Sequence, residues 1–165
     1  MSSDPAEKVY SLLQTFHTAM LITHTAEDTM HARPMEIAKA DAECHLWFFT
    51  DGTSPKSHEI RQDQQVLVTF QKDHQKYLSL TGLAQLVTDR STIGSLWQED
   101  YRVWFPNGVD DPNLTLVHVI PQFAEFWDNS GTQGIKYLYE ATKAYLTRTT
   151  PDIDEGDQHG RVPLG

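Results

Sequence analysis

The sequence predicts a mainly β domain in which about six antiparallel strands close, or half close, into a small barrel with helices at its edges. Three observations predict it. Short apolar or alternating runs recur along the chain and are separated by turn residues. The stretches with helical spacing sit at the edges of these runs rather than replacing them. The 165 residues are enough for one domain with a real core and too few for two comfortable ones.

The elements follow in order. Residues 4–18 read as a helix: Asp4 caps it, Pro5 takes the first helical position, Glu7 completes a capping-box pattern, and Val9, Leu12, Leu13 and Phe16 form one apolar face. Residues 19–24 read as a buried strand and 31–39 as a second, joined by the polar stretch Thr25 to Thr29. Residues 45–50 form an aromatic-rich third strand, which Asp51-Gly52 breaks. A short helix follows at about 55–62, capped by Thr53 or Ser54 with Pro55 in its first turn. Residues 65–71 and 76–87 are long strands, and Gly82 marks a bulge or bend in the second. A helix runs from near Asp89 to about Tyr101, Trp104-Phe105-Pro106-Asn107-Gly108 forms a turn, strands return at 114–120 and 123–128, and 134–147 is a final amphipathic helix. Residues 1–149 therefore make the domain, and 150–165, rich in Asp, Gly and Pro, read as a disordered or loosely attached tail.

Composition narrows the function classes. A net charge of −10 disfavours nonspecific binding to nucleic acid or anionic membrane. No apolar run approaches the roughly 20 residues of a membrane helix, and Met1-Ser2-Ser3-Asp4-Pro5 lacks the pattern of a signal peptide. Cys44 is the single cysteine, so no internal disulfide can form, and a reducing cytoplasm is the expected location. The eight histidines contain no pair three to five residues apart, so no metal site is expected. GxGxxG and GxxxxGK[ST] are absent. No Ser/His/Asp or paired-carboxylate constellation stands out, and the catalytic residues are left unassigned.

Against this acidic background, four segments stand out: His31-Ala32-Arg33-Pro34-Met35, Leu46-Trp47-Phe48-Phe49-Thr50, Ser54-Pro55-Lys56-Ser57 and Ala124-Glu125-Phe126-Trp127-Asp128. Arg33 and Lys56, each near backbone amides and hydroxyls, suggest a local anion site beside an aromatic wall. A phosphate dianion favours arginine, lysine and helix-start amides together, and a phosphorylated planar cofactor would fit. Ser54 and Ser57 also suit simple capping, which is compatible with that role.

At these segments the chain resembles the pyridoxamine 5′-phosphate oxidase-like FMN-binding split-barrel superfamily, and within it the general stress protein branch, over about residues 8–140. The resemblance rests on those pieces together with Ser79-Leu80-Thr81-Gly82-Leu83-Ala84, Leu96-Trp97 and Trp104-Phe105-Pro106-Asn107-Gly108. It implies a six-stranded split barrel that forms a homodimer, with FMN (or FAD) at the subunit interface. Arg33, Pro34, Met35, Phe49 and Thr50 would lie along the isoalloxazine and ribityl chain, Ser54 and Lys56 would hold the phosphate with Arg33 nearby, and Trp127 would approach the flavin. Trp97, Trp104 and Phe105 form either a cluster under a loop or a cover over the flavin from the partner chain. Where the oxidases carry an Arg-Leu-His-Asp-Arg motif for the pyridoxal substrate, this chain reads Gly134-Ile135-Lys136-Tyr137-Leu138-Tyr139, which argues against vitamin B6 oxidation. The resemblance thus implies flavin-dependent oxidoreduction of a small molecule. The rival readings are a noncatalytic flavin-buffering stress protein and a haem-binding split barrel.

Overall fold

A computed structural model describes residues 4–150 and 158–165; within the last helix the side chains of 132–135 and 137, and with them part of the 134–139 segment, lie outside the described set. The first helix, α1 (Pro5–Leu13), starts as its sequence dictates: the Asp4 carboxylate accepts from the Ala6 N–H and Pro5 takes the first position. It ends earlier than expected, because Thr18 already begins β1 (Thr18–His24) and Phe16 leaves the helix to pack on Phe70, with ring centroids 5.1 Å apart.

The remaining strands are β2 (Met30–Glu36), β3 (Lys39–Ala40), β4 (Leu46–Asp51), β5 (Gln65–Lys72), β6 (Lys76–Val87), β7 (Leu114–Asp128) and β8 (His159–Pro163). They form one antiparallel sheet in the order β2-β1-β5-β6-β7-β4-β3, with β8 also paired to β7. The sheet curls until β2 returns against β4, giving a split barrel. Its interior is filled by alternate residues of every long strand, among them Leu21, Phe48, Val68, Leu80, Val117, Val119 and Phe126. Helix α2 (Pro55–Gln62) packs against β1 and β6, and α3 (Arg90–Leu96) and α4 (Gly131–Thr147) complete the set of helices. Among the described residues no helix is long and apolar enough to cross a membrane.

Three differences from the sequence-based expectation have physical causes. The two strands expected at 114–120 and 123–128 are one, β7. The register shifts opposite Gly82, where Thr81 pairs with Phe123 and Gly82 with Pro121. That bulge bends β7 without ending it, so one half pairs with β4 and the other with β8. Gly82 is required there, since a Cβ would run into the Ile120 carbonyl.

The helix expected over 89–101 breaks at Trp97, which turns extended, and a 3₁₀ turn follows at Glu99–Val103. The break lets Trp97, Tyr101 and Phe105 all meet Phe49, so tertiary packing overrides helical continuity.

The tail expected to be loose over 150–165 is ordered at its end; residues 151–157 lie outside the described set. There β8 pairs with Phe123–Trp127, Val162 is buried in the barrel core, and Gly160 lies so close to Phe126 that a Cβ would sit 2.6 Å from its ring. Strand β8 continues the sheet past the point where β4 ends. With β3 it raises the strand number from the expected six to eight.

Candidate functional site

The split between β2 and β4 opens into a cleft of about 410 Å³. One wall is the edge strand β2 (Pro34, Met35, Glu36) with Thr18 of β1; the other is the end of β4 (Phe49, Thr50, Asp51), Lys56 of α2, and the 3₁₀ turn with Tyr101, Trp104 and Phe105. Pro34 suits its place, since a residue without an N–H belongs on a sheet edge. The volume falls within the roughly 300–1,000 Å³ of small-molecule sites.

The cationic end is built by α2. Ser54 is its N-cap, its Oγ accepting from the Ser57 N–H; Pro55 has no N–H to offer. The Lys56 N–H stands in the first turn, where helical geometry provides no carbonyl partner. The Lys56 ammonium donates to Thr50 Oγ1 at 3.1 Å, and Thr50 Oγ1 lies 3.4 Å from Ser54 Oγ. Among the described residues no carboxylate forms an ion pair with Lys56. Burial, and then the positive charge of Arg33, push its pKa below the ordinary lysine value. An incoming anion would relieve both effects.

Arg33 lies next to this cleft but does not line it. It shares the inward-facing side of β2, and its guanidinium is held by Glu59 of α2 (Nη2 to Oε2, 2.9 Å) and by Thr23 (Nη1 to Oγ1, 2.5 Å). The same carboxylate accepts from Thr23 Oγ1 at 2.5 Å and lies 2.9 Å from His31 Nδ1. Burial would raise the Glu59 pKa, but the hydrogen bonds from Thr23, His31 and Arg33, with the Arg33 charge, outweigh it and hold the group ionised. This network ties β1, β2 and α2 together.

Of the eight residues singled out in the sequence, the structure brings Pro34, Met35, Phe49, Thr50 and Lys56 together in the cleft and sets Ser54 beside them. Arg33 is one side-chain layer away. Trp127 is elsewhere: it stacks on His159 of β8, centroids 5.3 Å apart and 14° between planes. The sequence reading missed Thr18, Glu36, Asp51 and Tyr101. Strand alternation was the available signal for Glu36, which shares a face with Pro34. Nothing local announced Tyr101, which arrives from about 50 residues beyond Phe49. In the aromatic turn Trp97 and Phe105 pack on Phe49, while Trp104 stands 70% exposed and lines its own chain's cleft.

The buried Cys44 thiol is pushed up to about 11 by burial and by the Asp41 and Glu43 carboxylates. Among the described residues no group of three or more His, Cys, Asp or Glu could hold a metal ion.

A split barrel with a cleft in its open seam defines a class of fold, and comparison with known proteins gives the family. The family described as pyridoxamine 5′-phosphate oxidase like matches residues 4–152, and the chain belongs to it. Solved structures include a putative general stress protein 26 from Jannaschia sp. CCS1, 25% identical, covering 93% of this chain and 94% of that one with a TM-score of 0.69. A general stress FMN/FAD binding protein from Xanthomonas citri is 29% identical over 76% of this chain and 89% of its own, TM-score 0.65. A putative general stress family protein from Xanthomonas campestris pv. campestris is also 29% identical, covering 78% and 92%, TM-score 0.65. No curated protein matches the sequence significantly.

Proposed function

We propose that the cleft binds FMN, with its phosphate at Lys56, Thr50, Ser54 and the start of α2, and its ring system among Pro34, Met35 and Phe49. The observation that carries this reading is Lys56: a half-buried ammonium without a carboxylate partner among the described residues, at the start of a helix, facing an apolar cleft. Lysine, hydroxyls and a free helix-start amide fit a phosphate. The FMN/FAD binding of the Xanthomonas citri relative supports the same ligand class, and FAD offers a phosphate to the same groups. Arg33 adds positive charge next to Lys56. Trp127 does not line its own chain's cleft, so a part at the flavin requires a second subunit, and a homodimer is included in the proposal.

Bound flavin would supply hydride and electron transfer, which makes the protein a flavin-dependent oxidoreductase acting on a small molecule. The protein's part is to hold the phosphate, screen the ring with apolar side chains and leave an opening at Trp104. The reading is tested by the absorption spectrum of protein incubated with FMN and desalted, followed by steady-state oxidation of NADH or NADPH. Retained flavin bands with turnover support it. Retained flavin without turnover supports storage instead, and absence of flavin bands rejects both.

A further inference from the structure

Among the described residues, Tyr101 is a largely buried side chain whose polar group the fold does not pair. Its ring is fixed by aromatic neighbours, Phe49 at 5.0 Å and Trp97 at 5.9 Å between centroids. The residue is 6% exposed and lines the cleft. Yet its hydroxyl makes no hydrogen bond to any described residue, whereas Thr23, Thr50, Ser57, Thr115 and Asp128, also buried, all find partners. A hydroxyl that lines a cleft and has no partner among the described residues is left to bond whatever occupies that cleft.

The surroundings define the missing partner. Burial, and then the Glu36 and Asp100 carboxylates, raise the phenol pKa, so the hydroxyl stays protonated and is available as a donor. Glu36 also lines the cleft, on its β2 wall, so the phenol shares the cleft with negative charge close enough to act on it. That setting accepts a neutral oxygen and repels an anionic one. Phe105 and the exposed Trp104 supply flat apolar faces at the same end. We infer that the Tyr101 hydroxyl donates a hydrogen bond to a neutral carbonyl oxygen of a planar conjugated ligand held against Trp104 and Phe105.

Two sources carry this chemistry: a carbonyl of the flavin ring, or a quinone-type second ligand. The inference rests on the reading of the cleft as a ligand site, and its test separates the two sources. Tyr101→Phe removes only the oxygen. With no internal partner to lose, the ligand-free variant should unfold at the wild-type temperature or slightly above. Wild type and variant are then titrated with FMN, and separately, with and without FMN, with 1,4-naphthoquinone and with naphthalene, which lacks the carbonyls.

A loss of about tenfold in FMN affinity assigns the bond to the flavin. A similar loss for naphthoquinone, with none for naphthalene and unchanged FMN binding, assigns it to a second ligand. Unchanged affinity for both carbonyl ligands, or a wild type that binds neither, overturns the inference, as does a clear loss of stability in the ligand-free variant. A wild type that takes up naphthoquinone but no FMN would reject the proposed flavin function and leave the role of Tyr101 decided by the quinone titration.

Discussion

Lys56 and Thr50 are joined by one hydrogen bond, Nζ to Oγ1 at 3.1 Å, across the turn between β4 and α2. The bond fixes a cation at the cleft and answers it only with a neutral hydroxyl. Gly52 holds the turn from the other side, its N–H donating to the Asn113 carbonyl at 2.8 Å. The lysine is therefore aimed by backbone structure, with Asp51 and Glu59 acting on it from a distance but no described carboxylate paired to it.

Lys56→Ala should weaken FMN binding roughly ten- to a hundredfold while leaving riboflavin nearly untouched, because only FMN carries the phosphate and a charge-assisted hydrogen bond is worth about 1.5–3 kcal/mol. Fluorescence titration with both ligands reads the ratio. Equal losses for the two would mean that Lys56 shapes the cleft instead.

Arg33→Ala should act differently, since it removes a partner of the Glu59 carboxylate. Glu59 keeps Thr23 and His31, so the loss should stay below the about 3–5 kcal/mol of a buried pair broken outright, and the urea midpoint should fall. Arg33→Lys should restore only part of the loss, because one ammonium cannot meet Thr23 and Glu59 with the same fork. A variant of unchanged stability with phosphate-selective loss of FMN would place Arg33 in the phosphate site directly.

Acid should destabilise the fold. Glu59 and Asp128 both have native pKa values below their ordinary 4.5 and 3.8: at each, burial alone would raise the value, but hydrogen bonds from Thr23, His31 and Arg33, or from Lys8 and Ser130, prevail. The unfolded chain therefore takes up protons first as pH falls. Stability should be full above those ordinary values and drain away as pH drops through the lower native ones. In a pH series of thermal melts, Glu59→Gln should begin less stable at neutral pH and show a shallower acid decline. An equally steep decline in the variant would exclude Glu59 as a source.

Removal of residues 158–165 should destabilise the barrel, contrary to what the composition of the tail implies. Val162 leaves the core, Phe126 loses its cover at Gly160, and β7 gains an open edge. Burying a valine alone contributes about 1.5–3 kcal/mol, so the melting temperature should drop by at least roughly 3 °C. A truncated protein melting with the full chain would show that β8 contributes nothing to stability.

Sedimentation should report a homodimer at micromolar concentration. Helix α4 exposes Leu138, Tyr139, Tyr145 and Leu146 at i, i+1, i+7 and i+8, one continuous apolar face. A monomer with FMN bound would refute the dimer and leave Trp127 without a part at the flavin.

Much of this architecture is written locally. Asp4-Pro5 and Ser54-Pro55 start helices because a capping oxygen and a fixed φ act within three residues. Strands β5 and β6 announce themselves by alternating patches, β1 and β4 by their apolar and aromatic runs, and Gly82 by its conflict with a strand interior. The Ser54-Pro55-Lys56 helix start was legible as an anion site from short-range geometry, whereas Pro34, Met35, Phe49 and Thr50 entered only through the family resemblance; the structure sets them along the same cleft.

What the sequence could not determine depends on distant partners. Whether Arg33 faces a ligand or Glu59 is decided by how α2 packs against β1. Whether residues 89–101 stay helical is decided by Phe49, which draws Trp97 and Tyr101 into one cluster. Whether the polar end of the chain floats or pairs is decided by the edge that β7 leaves open beyond β4. In each case the local preference is weak, and burial of apolar surface or of a charge, available only once the barrel has closed, settles the outcome.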